Sequence, residues 1–422
     1  MKNKSLKTYL LLWSTQSLSA LGSGLTGYAL VLWLYAQSGS ALKTALLSVC
    51  SYAPYVLMSI FAGALSDRWN KKKTMLLCDF AAALSTIAVL VLIKTGRLEV
   101  WHLYAVNVLN GLMNTVQQPA AEVAATMLIP EKHYQRTSGL RSFSQSLNSI
   151  LTPVIATALF AFAGIESVIA VDLATFTLAF LTLMFIRIPE PNRSDDVKEP
   201  LLTSAGKGLL WLKQNPLILK LILFLAAINL IASTYDAALP AMILSKGDET
   251  ALGIVNACVG AAMLVGSVLV AVLPAPGNRV RAICVALLIS MSTENFFLAF
   301  CGNTLLWSVG AVLGWLSIPY MNANMDVIFR KTIPQDMQGR VYSCRNALQF
   351  FTIPVGFFVG GILVDEVFEP FMSNSDGLLS ALFGIGKGSG AAFLFFCIGI
   401  AGVAVCIAFW MILRKHSRGD RG

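Results

Sequence analysis

A chain of 422 residues in which 56% are apolar and only 13% charged lies outside the range of ordinary soluble domains, and reads as an integral membrane protein. The net charge of +9 could suit nucleic acid, but the cations follow topology instead. With both termini cytoplasmic, about 26 of the 31 Lys and Arg fall in inner loops, termini or adjoining helix ends, and about five (Lys43, Lys94, Arg97, Lys246, Lys387) fall outside.

About twelve apolar runs are long enough to cross a bilayer as helices: 7–36, 42–65, 74–93, 102–126, 138–162, 166–187, 217–244, 250–273, 280–301, 304–329, 340–364 and 389–413. The first has basic flanks at Lys2, Lys4 and Lys7 but is too long for a signal-peptide core, so it is expected to be a retained helix. The eight Cys lie in or at the ends of these runs without metal-ligand spacing and read as small apolar fillers.

Between the second and third runs stands the basic turn Gly63-Ala64-Leu65-Ser66-Asp67-Arg68-Trp69-Asn70-Lys71-Lys72-Lys73, which cannot sit in hydrocarbon and whose cations assign it to the cytoplasmic face. Gly63-x-x-x-Asp67-Arg68-x-x-Lys71-Lys72 resembles the loop 2–3 signature of the major facilitator superfamily. Asn70 stands where that family usually has a second Gly, and Asn also tolerates the left-handed backbone of a tight turn. The resemblance implies an all-α membrane fold of twelve transmembrane helices in two pseudo-symmetric six-helix bundles.

A polar segment with Pro189, Pro191, Pro200, Asp195, Asp196 and Lys198 divides the runs six and six. The expected organisation is therefore a bundle at 1–188, a cytoplasmic linker at 189–216 and a bundle at 217–422. The end of the linker, 207–216, is amphipathic and is expected to lie along the inner membrane surface. An offset of about 204 positions places Ile129-Pro130 on Ile333-Pro334, Arg136 on Arg340, Arg141 on Arg345, Gln145 on Gln349 and Glu122 on Asp326, as an internal repeat would. The stretch 365–388, with four acidic residues and a Gly-rich end, reads as a flexible outer loop with little helix.

Further stretches are similar to the macrolide-efflux branch of drug antiporters: Trp13-x-x-Gln16-x-x-Ser19, Pro119-Ala120, Ile129-Pro130-Glu131, Asp172-x-x-x-Phe176, Asn215-Pro216 and Ile333-Pro334-x-x-x-x-Gly339-Arg340-Val341. The fourth run carries no Arg where many drug antiporters have one, and the fifth, around Thr152-Pro153, lacks their Gly-rich pattern. The expected direction, export, therefore rests on branch resemblance.

Ionisable groups at membrane depth are costly, which makes each a functional candidate. Asp236 is the first candidate for proton coupling, because the resemblance implies that the seventh helix lines a central cavity; its alternative is a carboxylate that hydrogen-bonds a helix end near the outer surface. Glu294 is the second, although ninth helices are usually peripheral in that family, which favours structural pairing. Asp79 and Asp172, near the ends of peripheral spans, read as structural hydrogen-bonding groups. Asp67, Arg68, Glu122, Asp326, Arg141, Arg340 and Arg345 form either an inner gate of ion pairs or a static stabilising network.

Aromatic rings with scattered amides suit a large amphipathic ligand, and the substrate-binding candidates are Gln16, Tyr28, Tyr52, Tyr55, Asn229, Tyr235, Asn256, Trp315, Tyr320 and Asn322. For each, an aromatic belt or a core position is the competing explanation. The expected protein is a monomeric, multi-pass cell-membrane transporter that exchanges protons for a small amphipathic substrate by alternating access, with the lipid bilayer as its other partner. It would need no cofactor and bind no nucleic acid, since neither a nucleotide loop nor a nucleophile–base constellation can be read. The rivals are an importer or lysolipid flippase of the same fold and a non-transporting sensor or assembly partner.

Overall fold

With no water to satisfy backbone groups in a bilayer, an apolar run of this length must close its own hydrogen bonds, and the chain does so as helices. The computed structural model describes residues 6–129, 134–188, 201–300, 302–334, 337–375 and 377–414, and among these no strand occurs. The helices that matter below are α1 (Leu6–Ser38), α2 (Ala41–Arg68), α3 (Lys71–Lys94), α4 (Val100–Leu128), α5 (Tyr134–Phe185), α6 (Leu201–Gln214), α7 (Pro216–Lys246), α8 (Glu249–Val272), α9 (Arg279–Phe300), α10 (Thr304–Trp315), α11 (Ile318–Thr332), α12 (Gln338–Phe350), α13 (Thr352–Ile362), α14 (Glu369–Ser373), α15 (Leu378–Phe383) and α16 (Ser389–Arg414).

Ten helical stretches among the described residues are apolar and long enough to span a membrane. One of them, Leu147–Phe185, holds two crossings, because Gly164 at φ 73° breaks α5 where the sequence leaves a gap between its fifth and sixth runs. The fourth run, α4, is outside the ten because Asn107, Asn110, Asn114, Gln117 and Gln118 dilute its hydropathy, yet it is a helix of 29 residues. Counting these two brings the described residues to the twelve crossings of the expected all-α membrane fold.

Short polar residues start the helices. Asn70 Oδ1 accepts from Lys73 N at 2.9 Å, Asp248 Oδ1 from Ala251 N at 2.7 Å, Asn278 Oδ1 from Arg281 N at 2.9 Å and Asn303 Oδ1 from Leu306 N at 2.9 Å. Asn70 thus differs from its expected role: its φ of −65° and ψ of 117° are extended, and it serves as an N-cap rather than a left-handed turn residue.

By their contacts the residues group into two units, Met1–Leu34 with Cys50–Thr203, and Tyr35–Val49 with Ser204–Gly422. In the first, Tyr9, Leu12, Met75, Ala124, Leu128 and Leu183 form a buried cluster, and Leu25, Ala29, Ala156 and Val168 form another. Asp172 accepts from Ser23 at 3.1 Å and Asp79 from Gln117 at 2.5 Å, the structural hydrogen bonding expected of both carboxylates.

In the second unit small residues let helices approach closely, which in lipid replaces the hydrophobic drive to associate. Gly356 and Gly360 of α13 lie on Ser233, Thr234 and Ala237 of α7. Gly310 and Gly314 of α10 lie on Phe297 and Glu294 of α9, whose other side meets Gly399 and Gly402 of α16. Residues 35–49, which the sequence assigns to the first bundle, also pack here: Ala45 clusters with Ala237 and Phe357, and the Tyr35 hydroxyl donates to the Ala241 carbonyl at 3.0 Å. Asp365 caps α2, accepting from Ser40 Oγ at 2.5 Å, Ala41 N at 3.0 Å and Leu42 N at 2.9 Å.

The expected flexible loop at 365–388 is instead mostly helical among its described residues. The eleventh crossing continues through a π-helical turn, Leu363–Phe368, into α14, and α15 inserts Phe383 between Phe300, Phe393 and Phe396. Aromatic packing supplies the order that composition does not show, and Gly384, Gly386 and Gly388, all at φ near 88°, then make the sharp return into α16. The amphipathic helix α6 is longer than expected and buries Leu212 while Leu209 and Leu210 remain exposed.

Candidate functional site

The tenth crossing keeps a helical backbone throughout but loses helical hydrogen bonding ahead of Pro319. α10 ends at Trp315 and α11 begins at Ile318 with Pro319 in its first turn, a position where Pro has no amide to waste. The Ser317 hydroxyl ties this point to α9 by donating to the Ala286 carbonyl at 2.9 Å. Trp315 is thereby presented at the end of a helix, facing α9, and donates its indole N–H to Glu294 Oε1 at 2.5 Å. Gly314 makes that approach possible, because a Cβ there would stand 2.7 Å from the Glu294 Cβ.

Glu294 is 3% exposed and lines a cavity of about 200 Å³ inside the second unit. α7 contributes Asn229 and Tyr235, α9 contributes Ser290, Glu294 and Asn295, and the tenth crossing contributes Trp315 and Asn322. Gln349 of α12 completes the polar lining, with aliphatic side chains such as Ile228, Leu287 and Ile318 between. The Asn295 Oδ1 is buried without a hydrogen-bond partner, and the buried Tyr235 hydroxyl has only the Glu294 carboxylate beside it, without a well-formed bond. An orphaned buried acceptor costs about 1–3 kcal/mol, so a ligand able to satisfy it would recover that energy. Tyr235 is fixed edge-on against Phe395, ring centroids 5.2 Å apart, and its hydroxyl lies within electrostatic reach of Glu294.

Asp236 is the next residue on α7. It is exposed and does not line the cavity, but its charge acts on both Glu294 and Tyr235. Asp236 thus adds negative charge to the field around Glu294, which suits the cavity to a cationic group. The sequence leaves Glu294 between proton coupling and structural pairing on a peripheral α9; Glu294 both pairs with Trp315 and lines the cavity, and α9, packed against α10 and α16, keeps an exposed face at Val285 and Ile289.

Of the substrate-binding candidates, the cavity gathers Asn229, Tyr235, Trp315 and Asn322. Tyr320 lines a different cavity of the same unit, and Asn256 turns its amide onto the Leu252 carbonyl of its own helix at 3.0 Å. Gln16, Tyr28, Tyr52 and Tyr55 belong to the first unit. There Tyr28 packs on the Leu25 cluster, Tyr55 donates to Gln118 at 3.4 Å, and the buried Gln16 amide faces the Asp79 carboxylate. Ser290, Asn295 and Gln349 are additions that the sequence did not single out as ligands. The signal for the first was its place four residues before Glu294, one turn along the same helix face.

Of the gate candidates, the side chains of Asp67, Arg68, Glu122 and Arg141 lie outside the described residues. Arg345 donates from Nε to Gln349 Oε1 at 3.0 Å, covers the Phe329 ring at 4.6 Å and feels the charge of Asp326, which is exposed on α11. The Gln349 carbonyl in turn accepts from Asn229 at 3.1 Å, so Arg345 braces the cavity wall through Gln349. Arg340 meets Met337 Sδ at 3.6 Å. An ion pair among the described residues, Lys94 with Glu166 at 3.9 Å, is exposed and lies apart from these groups.

The Major Facilitator Superfamily profile matches residues 12–356. The chain is 23% identical to Macrolide efflux protein A of Streptococcus pyogenes over 376 residues, 86% of this chain and 91% of that protein. It is 24% identical over 356 residues to the Multidrug efflux pump Tap of Mycolicibacterium fortuitum, covering 82% and 86%. Its fold is similar to that of a bacterial homologue of the human lysosomal transporter Spinster, solved inward-facing and unoccupied, with a TM-score of 0.69 at 15% identity, over 100% of this chain and 99% of that one. With its helices, its crossings and a family match over most of its length in agreement, the chain belongs to the major facilitator superfamily, a family of membrane transporters and not of enzymes.

Proposed function

We propose that this protein is a proton-coupled exporter of a lipophilic or amphipathic drug-like compound. It works by alternating access of two halves, 1–188 and 217–422, joined by 189–216, in the cell membrane with both termini cytoplasmic, and it acts as a monomer. The observation that carries the proposal is Glu294, a carboxylate buried in a cavity with an indole donor, the Tyr235 hydroxyl, an orphaned amide oxygen and a second carboxylate within electrostatic reach. The efflux activities named for the two relatives support the direction.

At about 200 Å³ the cavity is smaller than a drug-sized pocket of about 300–1,000 Å³, so it takes one group of a larger molecule. A carboxylate beside Trp315 and Tyr235 suits an alkylammonium group, which the indole face and the negative charge both attract. Proton and ammonium then compete for Glu294, with Asp236 adding to the field, and that competition is the coupling.

The test is purified protein in liposomes carrying an imposed proton gradient and a pH-sensitive dye, challenged with a macrolide and with a cationic dye. Addition of substrate should move protons in the wild type and not in Glu294→Gln. Substrate movement that ignores the gradient would replace this reading with a flippase, and no substrate-dependent movement of either kind would point to a sensor or assembly partner.

A further inference from the structure

A second and larger cavity of the same unit, about 1280 Å³, takes no part in the mechanism above. It lies where α8 ends, α9 begins and α11 ends, the side that the distribution of cations assigns to the cytoplasm. Its walls are apolar, with Leu269 of α8 and Leu273 just after it, Val285 and Ile289 of α9, and Leu313 of α10 all substantially exposed. Its rim is basic: Arg279 and Arg281 stand in the first turn of α9 and Lys331 at the end of α11. No Asp or Glu is among the residues lining it.

The rim is also ordered. Arg279 donates from Nη1 to Asn324 Oδ1 at 2.8 Å, and Asn278 caps α9 through the Arg281 amide. Arg281 and Lys331 are exposed, so their charge is available to a ligand. The positive end of the α9 dipole adds to the same field. A small hydrated anion would satisfy the cations and leave the apolar walls empty. A molecule with a negative head and hydrocarbon tails satisfies both, and basic pockets between membrane helices on the cytoplasmic side bind such headgroups.

We propose that this cavity is a binding site for an anionic phospholipid, with its phosphate among Arg279, Arg281 and Lys331 and its acyl chains along Leu269, Leu273, Val285 and Ile289. Bound lipid would wedge α8, α9 and α11 and so steady the wall of the unit that also holds Glu294.

The experiment titrates purified full-length protein in detergent with phosphatidylglycerol or phosphatidylcholine and counts bound lipid by native mass spectrometry. Phosphatidylglycerol should bind more tightly than phosphatidylcholine. Lys331→Gln should weaken it about fivefold and Arg281→Gln with Lys331→Gln about 25-fold, at one cation's contribution to an anionic surface per substitution. Phosphatidylcholine binding should not change. Equal affinity for the two lipids, or unchanged phosphatidylglycerol binding in the Lys331→Gln single variant, overturns the proposal. So does displacement of phosphatidylglycerol by millimolar inorganic phosphate, which would assign the site to a soluble anion.

Discussion

Trp315 donates its indole N–H to the Glu294 carboxylate across the junction of α10 and α9. The bond joins the end of α10 to the carboxylate that lines the polar cavity of the second unit. Replacing Trp315 by Phe keeps most of the apolar contact and removes the donor. The expected cost is about 1–3 kcal/mol of stability, seen as a lower melting temperature in detergent, together with weaker substrate binding.

Tyr235→Phe separates folding from function. The hydroxyl is buried and meets only the Glu294 carboxylate, without a well-formed hydrogen bond, so its removal should change the melting temperature little. Transport should nevertheless fall severalfold if the hydroxyl meets substrate. Full transport in Tyr235→Phe would remove it from the site.

Gly314→Val tests the close approach of α10 to α9. A Cβ at this position would lie 2.7 Å from the Glu294 Cβ and 3.1 Å from its Oε2, so the helices must separate. Overpacking of this kind costs about 1–3 kcal/mol, and the expected variant is less thermostable with impaired substrate binding. Gly277→Ala, with open space around it, is the matched control and should be close to neutral.

Asp365→Ala removes the carboxylate that caps α2 through Ser40, Ala41 and Leu42. The loss should be about 0.5–2 kcal/mol, and hydrogen exchange at the amides of Ala41 and Leu42 should accelerate. Protection unchanged from the wild type would show that the cap is dispensable. Asp365→Asn, which retains an acceptor, should lie between the two.

Much of the architecture was legible because a bilayer leaves the backbone few options. The apolar runs, the gap at Gly164 and the polar break after 188 mark where helices stop, and hydropathy alone finds them. The site was legible in part. Tyr235, Glu294 and Trp315 stand out as costly or bulky residues in apolar surroundings, but nothing local says that they meet, since all of α8 separates α7 from α9 and α10. Gln349 was hidden for another reason: its contribution depends on Arg345 behind it and Asn229 in front, contacts set by packing. The ordered segment after Asp365 was missed because its acidic and Gly-rich composition resembles a loop, while the Phe383 contacts that fix it are made with distant helices.

The stretch 35–49 spans the end of α1 and the start of α2, yet every contact described for it above is made with residues beyond 204. A gene severed within 189–200 would therefore encode two polypeptides, the earlier one carrying a tab whose docking surface is built by the later one. Co-expressed, the fragments come with their own means of reassembly, and the covalent connection between them sets their proportions more than it sets their fit.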